Sequence, residues 1–194
     1  KAKVRDLSGA VTSLSQSLKY NKRNTDARNL LGLIYYQMGE IVAALSEWVI
    51  SVHFQERNNI AADYIQAIQN NPAKLKAANK VIQKYNLALS YMQENNADLA
   101  IIELKRVVNM SPTYIRAYQL LGLLYMQRKQ YAAARKVLMR AVKVDRNNMT
   151  TLRYLKEVNH LHGKQEKNQH GRKDEFMQIN DPNPIVIEEG SGQN

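Results

Sequence analysis

Asn29-Leu-Leu-Gly-Leu-Ile-Tyr-Tyr36 and Gln119-Leu-Leu-Gly-Leu-Leu-Tyr-Met126 are nearly the same stretch written twice, and Asn86-Leu-Ala-Leu-Ser-Tyr-Met92 is a looser third copy. Each copy has a small residue at its centre, namely Gly32, Ala88 and Gly122, and the last two stand 34 residues apart. The same interval separates Ala10 from Ala44 and Ala100 from Ala134, the small residues of a second helix that follows each copy. A fixed period in this range marks stacked helix pairs rather than one globular core. Leu30, Leu31, Ile34 and Tyr35 recur at the spacing of a helix with one buried stripe. Glycine inside a helix costs about 1 kcal/mol of propensity, so a repeated one needs a packing reason. Close approach of the paired helix supplies it. One pair cannot bury its own stripe, whereas a stack of pairs can.

Tyr35, Tyr91 and Tyr125 fall at one repeat position, Leu14, Trp48, Leu104 and Leu138 share another, and Pro112 stands where a second helix should stop. This pattern resembles the tetratricopeptide repeat family across residues 7–158, with a leucine, small residue and tyrosine on the first helix and a small residue followed by a large apolar one on the second. The resemblance implies an all-α fold, a tetratricopeptide-type helix-turn-helix solenoid, working as a non-catalytic scaffold or adaptor for a protein partner. The frame is also similar to bacterial repeat proteins in which such an array precedes a linker and a membrane anchor.

The frame divides residues 1–159 into a half repeat at 7–24, full repeats at 25–58, 81–114 and 115–148, and a capping helix at 150–158. Between the small residues Ala44 and Ala100 the interval is 56, which implies an insertion, and an extra helix is expected over 59–71 with Tyr64, Ile65 and Ile68 packed as core. Asn70-Asn71-Pro72 ends it, because the residue before proline leaves helical geometry and proline suits a first turn. The chain starts at Lys1 rather than Met and reads as a fragment beginning in or just before a repeat. That leaves the apolar face of residues 7–20 free to pair with a second chain. Residues 160–194 read as a polar tail or linker whose composition cannot bury enough apolar area to offset its ordering entropy. Its one apolar run is Ile185-Val-Ile187.

The 194 residues carry a net charge of +11 and no cysteine. No disulfide, zinc-thiolate site or thiol nucleophile is therefore possible, and a reducing cytoplasm is compatible. No apolar run approaches the roughly 20 residues of a membrane span. Residues 160–194 hold four basic and six acidic side chains, whereas residues 113–159 hold ten basic and two acidic ones. Arg135, Lys136, Arg140 and Lys143 form a basic patch on the outer side of the last second helix. A solvated face explains such a patch, and the alternative is that the basic last repeat binds nucleic acid, an anionic lipid surface or an acidic protein. Without interleaved aromatics it makes a poor platform for single-stranded nucleic acid. An acidic peptide is the better target, and the tail's own Glu188 and Glu189 also qualify.

In the family, the first helix of each pair lines a concave groove. Carried over, this implies a groove of Asn29, Leu33, Tyr36 and Gln37, then Tyr85, Leu89 and Met92, then Arg116, Gln119, Leu123, Met126 and Gln127. Its mixture of amides, aromatics and methionine suits an extended or helical peptide, although the three leucines fit core positions equally well. Of the Lys, Asn and Arg with which some family members hold a C-terminal carboxylate, only Asn29 is in place. No glycine-rich phosphate loop, nucleophile elbow or His-Glu-x-x-His helix occurs. The reading therefore includes no catalytic residue, metal or cofactor.

Overall fold

Most helix starts are marked by asparagine. The side chains of Asn24, Asn59, Asn71, Asn96 and Asn148 accept hydrogen bonds from the backbone N–H groups of Ala27, Ala61, Lys74, Leu99 and Thr151, which satisfies donors that a helix start leaves open. The computed structural model describes the backbone of residues 6–179 and the side chains of residues 6–167. Among the described residues every element is an α-helix. They are α1 (Leu7–Tyr20), α2 (Thr25–Gln37), α3 (Ile41–Phe54), α4 (Ile60–Gln69), α5 (Pro72–Gln93), α6 (Ala97–Met110), α7 (Ile115–Gln127), α8 (Tyr131–Val144) and α9 (Met149–Ile179).

Three helix pairs, α2/α3, α5/α6 and α7/α8, share one construction. A Cβ added to Gly32 would strike the Trp48 indole, and one added to Gly122 would lie 2.8 Å from the Leu138 side chain. Ala88 stands at the same position opposite the buried Leu104. The turn inside each pair ends in a left-handed residue: Gly39 at φ 76°, Asn95 at 57° and Lys129 at 58°. A cross-pair contact also recurs. Arg28 meets Glu47 at 2.6 Å and Lys84 meets Glu103 at 2.9 Å, whereas the last pair uses buried Tyr118 and half-buried Val137.

The pairs do not form one continuous stack. Leu31 is 2% exposed where α2 follows α1, and Leu121 is 1% exposed where α7 follows α6, but their equivalent Leu87 on α5 is 40% exposed. No preceding second helix covers α5. Helix α4 packs on α3 instead, with Ala61 and Ile68 buried and the Tyr64 ring 5.1 Å from Trp48. It touches α5 only sparsely. The array is therefore two stacks, α1–α4 and α5–α9, joined at Asn70-Asn71.

The stacks then fold back on each other. One core runs through Ile34 and Met38 of α2, Val81 of α5 and Ile115 to Leu124 of α7, with Leu7, Ala10, Val11 and Leu14 of α1 packed against it. The backbone N–H of Ser8 donates to Asp145 Oδ2 at 2.9 Å, which ties the first helix to the corner between α8 and α9. The α1 face that an open array would leave free is thus half-buried against the chain's own later repeats.

The capping helix does not stop at Val158. Helix α9 continues to Ile179, so the expected boundary at residue 159 falls inside a helix. The stretch after Val158 is polar, but it contains no proline before residue 182 and is rich in Lys, Gln, Glu and Arg. Polarity removes burial without removing helix propensity. The expected apolar run Ile185–Ile187 and the acidic pair Glu188 and Glu189 lie outside the described residues.

Candidate interaction surface

Three of the residues assigned to the groove hold one repeat to the next. Asn29 is buried and its Nδ2 donates to Asn59 Oδ1 at 2.9 Å. At the equivalent position Gln119 Nε2 donates to Asn148 Oδ1 and to Thr151 Oγ1, both at 2.9 Å. Tyr85 meets Tyr114 there with ring centroids 5.1 Å apart. Met126 is buried, and Met92 and Leu123 pack against the shared core. Leu33 and Tyr36 are half-buried around Trp48. Asn29 and Met126 are therefore corrected from surface to interior, the first by its joint and the second by the core it fills. Gln37, Leu89, Arg116 and Gln127 are exposed.

Arg116 is exposed but has a partner. Its Nε lies 3.1 Å from Glu40 Oε1 across the meeting of the two stacks. Burial raises the Glu40 carboxyl above its ordinary value, and the Arg116 charge opposes that. Burial also raises Tyr35 and Tyr85, and with neighbouring Tyr85 and Glu40 it pushes Tyr114 up to about 12. All three phenols are neutral at physiological pH and work as packing and hydrogen-bonding groups.

Beside this ion pair lies a cleft of about 840 Å³ between the start of α3, the front half of α5 and the α6–α7 corner. Ile41, Val42, Ala78, Val81 and Met110 give it an apolar lining. At its edge the Lys74 Nζ sits 4.7 Å above the Tyr36 ring. Tyr36 and Arg116 are the only assigned groove residues that line it. The sequence did carry a signal for the rest: Val42 occupies the repeat position filled by Asp98 and Ala132.

The four basic-patch residues, Arg135, Lys136, Arg140 and Lys143, are exposed and enter no ion pair among the described residues. Arg135 Nε donates to Asn159 Oδ1 at 3.1 Å, and the Arg140 guanidinium lies 5.3 Å from the centroid of the Tyr118 ring. Among the described residues no group of three or more His, Cys, Asp or Glu could hold a metal, and no helix is long and apolar enough to cross a membrane.

A stack of helix pairs with this spacing, glycine contact and turn defines a helical repeat protein of the interaction-scaffold class. Two family models described as tetratricopeptide repeat match residues 91–157 and residues 1–49, between them more than half of the chain. The chain belongs to the tetratricopeptide repeat family. Among solved structures it is similar to one titled "Crystal structure of MamA protein", at 16% identity over 86% of this chain and 79% of that one, with a TM-score of 0.42. A second, "Crystal structure of MamA", matches at 16% identity over 83% and 91%, with a TM-score of 0.35. Likenesses this distant do not bear on what the chain binds. No curated protein sequence matches it.

Proposed function

We propose that this chain is a non-catalytic scaffold that holds a peptide or segment of a partner protein on the inner surface of its first helices. The observation that supports this is a row of glutamines. Gln37, Gln93 and Gln127 occupy one repeat position, all three are exposed, and none is used in a hydrogen bond among the described residues. Repeated amides that the fold does not use are suited to a peptide backbone, which offers donors and acceptors at regular intervals. Leu89, also exposed, adds an apolar anchor beside them. A cytoplasmic setting fits a cysteine-free chain.

The test is a pull-down from native lysate washed at about 0.15 M and about 0.5 M salt, which separates contact-held from charge-held partners. A protein retained at the higher salt and lost with Gln37→Ala/Gln93→Ala/Gln127→Ala supports the scaffold. A second reading rests on Arg135, Lys136 and Lys143, which enter no ion pair among the described residues and have the charge to hold an anionic surface or nucleic acid. It requires binding that disappears at the higher salt and on charge reversal of those residues.

A further inference from the structure

The cleft where the two stacks meet has a binding chemistry of its own. Its walls are apolar, and Val42 is 62% exposed on one of them. Helices α3 and α5 face each other across it without substantial contact. Two cations flank the space. Arg116 is 61% exposed and spends only its Nε on Glu40, so its two terminal nitrogens pair with no acceptor among the described residues. Lys74 lies over the Tyr36 ring and pairs with no carboxylate among the described residues. One carboxylate, already engaged, therefore faces two cations. A planar fork with free nitrogens is the geometry that takes a carboxylate in bidentate fashion.

We propose that this cleft takes a short apolar peptide segment of a partner protein, bearing a carboxylate that Arg116 and Lys74 receive. The proposal rests on the scaffold reading and moves the specificity of that scaffold from the inner surface to the junction of the stacks. The apolar walls supply the burial and the cations fix the orientation, the usual division of labour in a peptide groove. The lining is particular to this junction. Val42 puts a larger apolar side chain here than its repeat equivalents Asp98 and Ala132.

The test is selection of random peptides of about 12 residues displayed on phage, using the full chain as bait. Enriched peptides are expected to combine apolar residues with at least one Asp or Glu. Their affinity should fall by about tenfold or more with Val42→Asp and with Arg116→Glu, the loss typical of a central anchor, and should survive Leu89→Ser on the inner surface. Val42 is exposed, so Val42→Asp leaves the core intact, and helical circular dichroism confirms that the variant folds. Failure to enrich, enrichment without acidic residues, or binding unmoved by Val42→Asp overturns the proposal. Enrichment only in a Val186→Asp background would give the cleft to the chain's own Ile185–Glu189 run and would overturn a partner peptide. A pull-down partner indifferent to Val42→Asp would leave the scaffold reading standing and the cleft proposal refuted.

Discussion

Asn29 and Asn59 are joined by a single hydrogen bond, Nδ2 to Oδ1 at 2.9 Å, that fastens the first helix of one repeat to the beginning of the next element. Asn59 is fully used at this joint. Its Oδ1 also caps Ala61, and its Nδ2 donates to Ser51 Oγ at 3.0 Å and to the Gln55 carbonyl at 2.9 Å. The corresponding joints pair Tyr85 with Tyr114 and Gln119 with Asn148, each 29 residues apart where Asn29 and Asn59 are 30 apart. One joint is made in three ways, twice with amides and once with two tilted aromatic rings.

Asn59→Ala should therefore destabilise the chain by about 2 kcal/mol, since it removes a cap and strands buried partners. Gln37→Ala, at an exposed position on the same repeat, should stay within about 0.5 kcal/mol of the parent. Urea unfolding followed by circular dichroism measures both. Equal effects would mean that the joint carries no special share of the stability.

Gly32→Ala should cost stability even though alanine is the better helix former, because the added methyl meets the Trp48 ring. Overpacking costs about 1–3 kcal/mol against a propensity gain of up to about 1 kcal/mol. The third repeat already contains the remedy, with Ala88 opposite Leu104. Gly32→Ala combined with Trp48→Leu should thus lose less than the sum of the single changes, a coupling that thermal unfolding of the four proteins resolves.

The helix pairs were legible in the sequence because the information is local. Gly32 and Trp48 belong to adjacent helices, and the repeat prints their relationship three times. The folding back of the two stacks was not, since Glu40 and Arg116 meet only when separate repeats come together. Gln83 carried a clue: its equivalents Ala27 and Ala117 are buried against a preceding helix, whereas Gln83 is exposed, and an amide there signals that nothing packs. Asn29 was misplaced for a related reason. Its position on the inner face was readable, but its partner Asn59 lies in the irregular segment where the frame breaks.

Glu103 makes the stability pH-dependent. Its hydrogen bond to Lys84, with Arg106 also paired to it, holds the carboxyl below its ordinary value. A lowered folded pKa gives stability that is present above the unfolded carboxylate value and lost as pH falls through the folded one. Water screening of the two cations limits the amount to about 1 kcal/mol. Glu103→Gln should be less stable than the parent near pH 7 and should converge with it in acid, as unfolding curves at a series of pH values will show. Glu40, raised by burial, has the opposite sign: its contribution is complete at acid pH and lost as pH rises through its raised value. Glu40→Gln should accordingly flatten the profile just above the ordinary carboxylate range.

Lys129 is the residue at which the backbone itself is most improvable. It holds φ 58° at the turn between α7 and α8, the position that Gly39 fills at φ 76° in the first full pair. A side chain in the left-handed region costs about 1 kcal/mol relative to glycine, while glycine gives some of that back through a freer unfolded chain. The native strain should exceed the entropy term, so Lys129→Gly is expected to raise the unfolding midpoint by a few degrees. Lys129→Asn, which copies Asn95, should fall between the two. If Lys129→Gly instead lowers the midpoint, the lysine stem must be making a packing contribution larger than the strain it imposes.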